Sequence, residues 1–399
     1  MNRIGLLDAL RGFAVLGLLF AHFPSTGGTA SSIDYPPALG WEAAHSADWV
    51  FTAIFIDGAM RGLFATLFGA SMVLMIYGGA PADTASRRTR FAARCLGLLL
   101  IGAAHVALAA WPSDILWIYA IAGLAAMVFI ALPPAALAGL FATAMALFVA
   151  HAALTDISAS PPGAAALAAE AAARSAPYPA QILRAVTTWL EWLTPASVLV
   201  RLCEAGGYMM LGAALMKSGL LTKPPRRFAQ AAAIIALPVG TALCGYAALG
   251  AINLDFNYVA DLHPLMRLGK PFIVIGFIAL FALALTAPAV ARLAEAVLAP
   301  VGKLALTAYV GSSVAMLILF TGAGFNLHGR FDRIELALLA ALCVALLVVA
   351  ARLWTRHMGQ GPLERLLRWF SDALGNAVSR SAPACVSARP EDAGAGRSG

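Results

Sequence analysis

The chain has 399 residues, of which 61% are hydrophobic and only 12% are charged, and its formal net charge is +7. The charged fraction is about half that of a typical soluble domain, and long apolar runs recur from end to end, which excludes a soluble enzyme. In a membrane protein the positive-inside rule explains a positive net charge better than nucleic-acid binding does. The composition therefore predicts the lipid bilayer as a partner and no nucleic acid.

Ten apolar segments follow one another along the chain, each long enough for a helix to cross a bilayer. They predict an all-α fold, a polytopic transmembrane helical bundle that forms a single domain over residues 1–378. The predicted spans are 4–24, 50–78, 91–111, 114–132, 134–152, 196–216, 228–250, 268–288, 302–322 and 334–354.

Basic residues concentrate in alternate loops between the predicted spans. The loop after the first span has no Lys or Arg, whereas the loops after the second and sixth spans and the tail after the tenth carry clusters of them. Short loops rich in Lys and Arg stay on the cytoplasmic side of the membrane. The pattern therefore predicts that both termini are cytoplasmic.

Three segments outside the spans have distinct compositions. Residues 153–180 are rich in Ala and Pro and predict a flexible non-cytoplasmic loop. Residues 182–194 carry two Trp among apolar residues at helical spacing, which predicts an interfacial helix. Residues 379–399 are mostly Ser, Ala, Pro and Gly and predict a disordered cytoplasmic tail. The scattered cysteines and histidines show no metal-ligand spacing, so no metal is predicted.

The first span carries Asp8 and Arg11, which are three residues apart and share a helix face. His22 lies further along the same face and is a weaker candidate. Charges inside a membrane cost about 3 kcal/mol each on insertion scales and tend to be paired and functional. The pair is either a structural salt bridge that fixes helix packing or part of a substrate-binding site.

Two more charged pairs lie in later spans. Asp57 and Arg61 are four residues apart, and they form either a local ion pair or a site where Arg61 offers its forked donors to a phosphate or carboxylate. Arg201 and Glu204 are three apart at the start of the sixth span. For this pair the sequence leaves packing and substrate contact open.

The strongest catalytic candidates are His105, near the end of the third span, and Asp114, just beyond it. The short turn between the third and fourth spans allows the carboxylate to approach the imidazole as the orienter of a general base. The alternative is a histidine that makes an ordinary interhelical hydrogen bond. His45 and Asp48, in the loop after the first span, are a weaker pair of the same kind, and a solvated loop pair is the preferred interpretation.

Several ordered motifs give the chain a resemblance to the YeiB-like bacterial membrane proteins, also called domain-of-unknown-function family 418. The chain differs from the usual family pattern at His22, Arg61 and Ala308, where Asn, Lys and Asn are typical. The motifs are Leu-Asp-Ala-Leu-Arg-Gly-Phe-Ala-Val-Leu-Gly at 7–17, Leu-Phe-Gly-Ala at 67–70, the His105 stretch through residue 120, Met-Leu-Gly-Ala-Ala-Leu-Met-Lys-Ser-Gly at 210–219, Val-Gly-Lys-Leu-Ala-Leu-Thr-Ala-Tyr at 301–309 and Gly-Pro-Leu-Glu at 361–364.

The family is usually grouped with transmembrane acyltransferases that resemble the lysosomal enzyme acetylating heparan glucosamine. The resemblance implies an acyltransferase of the bacterial cytoplasmic (inner) membrane. Its co-substrate is cytoplasmic acyl-CoA, it has no tightly bound cofactor, and it acts on the hydroxyl or amine of a small-molecule, lipid or glycan acceptor. Arg11 and Arg61 would hold the donor, and His105 would activate the acceptor. The hydroxyl of Tyr119 or Tyr309 would stabilise the oxyanion.

Two other functions use the same residues. In a transporter of a small anion or metabolite, the charged pairs would line a translocation path. In a membrane scaffold, each pair would be purely structural. Convergence of Asp8, Arg11, Arg61, His105 and Asp114 on one cavity would favour the enzyme, and separately closed pairs would favour the scaffold. The sequence leaves open whether the protein forms an oligomer.

Overall fold

The chain is almost entirely α-helical in the computed structural model, which describes residues 3–29, 35–80, 83–154, 157–158, 161–222, 224–258 and 262–381. A 3₁₀ turn covers Pro36–Leu39, and two-residue strands β1 (Ile157–Ser158) and β2 (Asn257–Tyr258) pair antiparallel, Ile157 opposite Tyr258. The helices are α1 (Arg3–Gly27), α2 (Ala43–Phe55), α3 (Ala59–Tyr77), α4 (Thr84–Leu108), α5 (Leu116–Phe129), α6 (Pro134–Ala153), α7 (Ala164–Ser175), α8 (Tyr178–Glu191), α9 (Pro195–Lys217), α10 (Arg226–Asn253), α11 (Leu262–Ala284), α12 (Pro288–Lys303), α13 (Ala305–Phe320), α14 (Arg333–His357) and α15 (Pro362–Ser381).

The ten predicted spans correspond one to one to helical stretches of the described chain. Eight stretches are long and apolar enough to cross a membrane, with α2 and α3 counting together as one of them. The pair α12 and α13 passes the same test but is bent by 76° at its break. The remaining span is α5, whose 14 residues extend for only about 21 Å. The predicted all-α bundle is confirmed, and the protein is a multi-pass membrane protein.

The second span is broken between α2 and α3. The amide groups of Ile56 and Asp57 both donate to the carbonyl oxygen of Thr52, and Gly58 follows with φ +71°. The ammonium of Lys270 donates to the freed carbonyl oxygens of Ala53 and Ile54 at the end of α2. Irregular backbone at membrane depth is tolerated where it is buried in protein or lines a cavity, and this break lines a cavity described below.

Glycines bring two helix pairs into backbone contact. A Cβ on Gly12 of α1 would overlap the carbonyl oxygen of Leu298 in α12, and a Cβ on Gly302 of α12 would overlap that of Asp8. A Cβ on Gly69 of α3 would likewise overlap the carbonyl oxygen of Met209 in α9. Small residues at such crossings let transmembrane helices approach closely. The α1–α12 contact fixes the element that carries Asp8 and Arg11.

One of the three segments outside the spans contains a helix where a loop was predicted. The loop predicted at 153–180 contains α7, because its Ala run is strongly helix-forming. Gln181 donates to three carbonyl oxygens at the end of α7, at 2.7–3.1 Å. The predicted helix 182–194 is matched by α8, and its interfacial position stays a prediction. The predicted tail 379–399 lies outside the described residues, except for three that end α15.

Asp332 begins α14 with a reciprocal cap. Its carboxylate accepts from the amide of Glu335 at 2.8 Å, and the carboxylate of Glu335 accepts from the amide of Asp332 at 2.9 Å. The hydrogen bond from the Glu335 amide lowers the pKa of Asp332 below its ordinary value. A carboxyl whose pKa is lower in the folded state stabilises the fold above its unfolded pKa. That contribution is lost as the pH falls through the folded value.

We therefore expect Asp332→Ala to lower the free energy of unfolding by about 1 kcal/mol at neutral pH, the usual effect of removing such a cap. The difference from the wild type should shrink in acid, where the wild-type cap is itself protonated. Thermal unfolding of the purified protein at several pH values measures it. Asp332→Asn is the matched control, since Asn caps equally well and does not titrate. A loss that stays the same down to acidic pH would contradict the prediction.

Candidate functional site

Two cavities enter the helical bundle from opposite ends. The first, which we call the Asp57 cavity, has a volume of about 640 Å³ and is lined by Asp57, Arg61 and Glu204, among others. The second, the Arg11 cavity, has about 610 Å³ and is lined by residues including Asp8 and Arg11. By the predicted orientation, the Arg11 cavity is at the cytoplasmic end.

Tyr119 of α5 and Tyr309 of α13 line both cavities and form the wall between them. The Tyr119 hydroxyl donates to the backbone carbonyl of Arg61 at 2.7 Å. The Tyr309 hydroxyl accepts from the amide of Ile115 at 3.3 Å and donates to Asp114 at 3.4 Å. Both hydroxyls are thus engaged within the protein, so the oxyanion role predicted for them requires an exchange of partners.

His105 and Asp114 contact each other beside this wall, as the short turn predicted. The imidazole Nδ1 lies 2.8 Å from the carboxylate Oδ1, and both side chains are fully buried. The other carboxylate oxygen accepts from the amides of Leu116 and Trp117 at 2.9 and 3.2 Å, in the first turn of α5. Asp114 therefore fixes the start of the short helix and the orientation of the histidine together.

The charged residues do not converge on one cavity, which is the arrangement that would have favoured the enzyme over the scaffold. His105 and Asp114 line neither cavity, and Arg11 and Arg61 line different ones. The ring of Tyr309 packs against the imidazole, with centroids 5.2 Å apart, and covers it. The buried His105 Nε2 has no hydrogen-bond partner in the part of the chain that the structure describes.

The Arg11 cavity contains the predicted Asp8–Arg11 pair, at 3.0 Å, and the guanidinium also contacts the hydroxyl of Ser71. Further basic side chains that sequence reasoning missed line this cavity. Neither Arg94 nor Lys303 makes an ion pair with any described residue. Their position at the ends of spans, close to the charged pair of the first span, is the feature of the sequence that could have identified them. The missed residues are Arg94, Lys303 and Arg368.

The predicted Asp57–Arg61 pair is not formed. Arg61 instead pairs with Glu204 of α9, Nη2 to Oε1 at 3.0 Å. The reason is the break before α3. Asp57 precedes the helix, so the four-residue spacing no longer places the two side chains together. Asp57 is exposed in its cavity and interacts electrostatically with Lys270 and Arg61.

Arg201 and Glu204 are not paired with each other, because the carboxylate of Glu204 pairs with Arg61. Arg201 lies over the ring of Trp192 instead, with its guanidinium carbon 5.5 Å from the ring centroid. The arginine is half-buried and lines the Asp57 cavity. It therefore remains a candidate for substrate contact, as one of the two readings of the sequence had it.

His45 and Asp48 do not pair as base and orienter. His45 accepts from the amide of Glu42 at 3.2 Å and lies 3.5 Å from Asp332, while Asp48 lies 3.6 Å from Arg333. Both side chains of α2 contact the amino end of α14 instead of each other, although they are only three residues apart in the chain. The two contacts hold α2 against α14 and have a structural role.

His22 is the one of the three predicted histidines that lines a cavity. It lies on the wall of the Asp57 cavity, and its ring packs against that of Trp111 with centroids 4.8 Å apart. His22 and His105 are also close enough to interact electrostatically. The weakest histidine candidate by sequence is thus the most accessible one. Among the described residues, no group of three or more His, Cys, Asp or Glu side chains could hold a metal ion.

Comparisons with known proteins show what this chain is similar to. The family model DUF418, a protein of unknown function, matches residues 215–373. The uncharacterised protein YeiB of Escherichia coli (strain K12) is 26% identical over 96% of this chain and 100% of its own length. The uncharacterised protein YxaH of Bacillus subtilis (strain 168) is 26% identical over 92% of this chain and 94% of its own. No solved structure matches the chain at a significant level. The predicted resemblance is thereby confirmed: the chain is related to the YeiB-like proteins along nearly its whole length and carries the DUF418 region at 215–373.

Proposed function

We propose that the protein is an integral acyltransferase of the bacterial cytoplasmic membrane. It moves an acyl group from a donor in the Arg11 cavity to a hydroxyl or amine of an acceptor in the Asp57 cavity. The observation that supports this proposal is the pair of opposed cavities, which share Tyr119 and Tyr309 as a wall with the His105–Asp114 pair beside it. Such an arrangement brings two substrates from opposite ends to one base.

The charge of the Arg11 cavity suits a polyanionic donor such as acyl-CoA. Lys303 and Arg94 have no ion-pair partner among the described residues, so their donors are available to phosphates. Glu364, which also lines this cavity, is already used: it accepts from the amides of Leu306 and Thr307 at 2.7 and 3.1 Å. The cavity therefore keeps an excess of positive charge at the end where the predicted orientation brings cytoplasmic acyl-CoA.

The His105–Asp114 pair supplies the base. When Nδ1 carries the proton and donates to Asp114, Nε2 is free to accept the proton of the acceptor. The acceptor oxygen or nitrogen then attacks the thioester carbonyl, a C–O or C–N bond forms, and the C–S bond breaks. The thiolate leaves with the proton that the imidazolium returns. Tyr309 covers the imidazole in this conformation, so its ring must move, which keeps water from the thioester until both substrates are bound.

A second function, transport of a small anion, is favoured by one observation. A transporter that works by alternating access also needs a cavity toward each side of the membrane, separated by a barrier that can open, and Tyr119 and Tyr309 form such a barrier here. The wall residue Tyr309 lies on α13, which follows the 76° bend after α12. A bent pair of half-helices is a natural hinge for opening one cavity and closing the other. In this case His105 would act through packing alone.

Acyl transfer from labelled acetyl-CoA to a bacterial envelope extract distinguishes the two functions. With the purified protein in lipid vesicles, we expect a labelled product. Lys303→Gln should raise KM for acetyl-CoA about tenfold, the equivalent of losing one charge-assisted hydrogen bond of about 1.5 kcal/mol, and leave kcat similar. Arg292→Gln, an exposed change on α12 outside both cavities, is the matched control. Exchange of unmodified anions across the vesicle membrane, with no acetylated product, would contradict the enzyme and support the transporter.

A further inference from the structure

The Asp57 cavity carries an excess of positive charge. Five basic side chains line it, against two carboxylates. Burying unbalanced charge of one sign in a membrane protein is costly unless a counter-ion is present. The lining side chains with charge are Arg61, Arg201, Arg267, Lys270, Arg333, Asp57 and Glu204.

Two of the five cations have local partners. Lys270 donates to the carbonyl oxygens at the end of α2 and interacts with Asp57. Arg333 lies 3.6 Å from Asp48. The remaining cations are Arg61, Arg201 and Arg267, and they share the single carboxylate of Glu204. All four side chains line the same cavity, and both Arg201 and Arg267 interact electrostatically with Arg61 and Glu204, so two positive charges of this group are uncompensated.

The two arginines outside the ion pair are held by aromatic rings. Arg201 lies over Trp192 and makes no hydrogen bond or ion pair with any residue that the structure describes. Arg267 lies over Phe148, 4.3 Å from the ring centroid, and uses Nη1 to donate to the Phe148 carbonyl oxygen at 2.7 Å. Stacking fixes the plane of a guanidinium while leaving its N–H groups available. The cavity thus holds two positioned guanidiniums with free donors.

We propose that the Asp57 cavity binds a phosphate monoester, with Arg201 and Arg267 as its ligands, and that this phosphate monoester is the acceptor of the reaction. The second part rests on the proposed function, whereas the binding site does not. A phosphate monoester carries about −1.5 to −2 charges at neutral pH, which matches the two uncompensated positive charges better than a single carboxylate does. Guanidinium forks also bind phosphate oxygens in a bidentate manner. The monoester is either soluble or the headgroup of a lipid.

Calorimetry on the purified full-length protein tests the site. With glycerol 3-phosphate as the probe, we expect binding that Arg201→Gln and Arg267→Gln each weaken at least tenfold. The control Arg226→Gln, an exposed change outside both cavities, should bind as the wild type does. Phosphatidic acid in nanodiscs tests the lipid source: competition by it, against no effect of phosphatidylcholine, supports a lipid monoester, and soluble binding alone supports a soluble one.

The proposal is overturned if neither glycerol 3-phosphate nor phosphatidic acid binds, if acetate binds as tightly, or if Arg201→Gln binds like the wild type. Arg201→Lys keeps the charge without the fork and should bind with intermediate strength, and unfolding temperatures show that each variant is folded. Failure of the phosphate site and failure of the proposed acyltransferase function give different results. Acyl transfer to acceptors without phosphate refutes the assignment of the monoester as acceptor and leaves the binding site to the calorimetry, whereas phosphate binding without transfer from labelled acetyl-CoA refutes the acyltransferase alone.

Discussion

Replacing His105 with glutamine is expected to lower acyl transfer by a factor of about 10² to 10⁴, the usual contribution of a general base. Glutamine can still donate a hydrogen bond to Asp114, which lies 2.8 Å from the imidazole in the wild type. It cannot accept and return a proton as the imidazole does. The fold should therefore survive while the chemistry is lost. The rate of transfer from labelled acetyl-CoA and the unfolding temperature of the same preparation measure the two effects separately.

The matched control is His357→Gln, at the exposed end of α14 and outside both cavities. It should leave both rate and stability unchanged. If His105→Gln keeps the full rate, the buried pair is structural and the proposed mechanism is wrong. If the rate and the unfolding temperature fall together, the loss of activity comes from a destabilised fold, because the histidine helps to hold Asp114 at the start of α5. This outcome would not support His105 as the base.

Gly302→Ala is expected to lower the free energy of unfolding by about 3 kcal/mol, the upper range for overpacking a tight contact. The added Cβ would overlap the carbonyl oxygen of Asp8 and lie 2.7 Å from its carbonyl carbon. These are backbone atoms of α1, so no side chain can rotate away and the two helices must separate. The change also displaces Asp8, which lines the Arg11 cavity. Thermal unfolding in detergent measures the stability.

Gly311→Ala, in the neighbouring helix α13, provides the comparison. A Cβ at Gly311 would meet no atom within 4 Å. The substitution should be neutral or stabilise the protein by up to about 1 kcal/mol, because Ala favours a helix more than Gly does. Equal unfolding temperatures for the two variants would show that α1 and α12 are not in backbone contact at Gly302.

The apolar runs of the sequence predicted the helical bundle well, because the length and hydrophobicity of each span can be recognised from that segment alone. The two contacts that the sequence predicted correctly are also local. Asp8 and Arg11 share one helical turn, and His105 meets Asp114 across a short turn. The pairing of Asp57 with Arg61 failed because the break at Gly58 interrupts the local rule.

The contacts that the sequence could not predict join distant segments. Arg61 and Glu204 are 143 residues apart, and nothing in either motif specifies the other. Arg267 and Lys270 belong to no oppositely charged pair at helical spacing. Both nevertheless lie on the membrane-spanning helix α11, where a charged side chain is itself a signal of function. The wall between the cavities combines Tyr119 of α5 with Tyr309 of α13, and no single motif contains both.

The thin wall of Tyr119 and Tyr309 has an electrical consequence. Where water fills both cavities, the membrane potential falls mainly across the protein that separates them rather than across the whole bilayer. Each elementary charge that crosses this barrier gains or loses about 2.3 kcal/mol for every 100 mV. A proton that passes from an acceptor in the Asp57 cavity to a thiolate in the Arg11 cavity makes this crossing, and the acyl group makes it in the opposite direction as the formal cation that replaces the proton. Acyl transfer under the proposed mechanism is therefore electroneutral overall, whereas transport of an anion through the same wall would depend on the membrane potential.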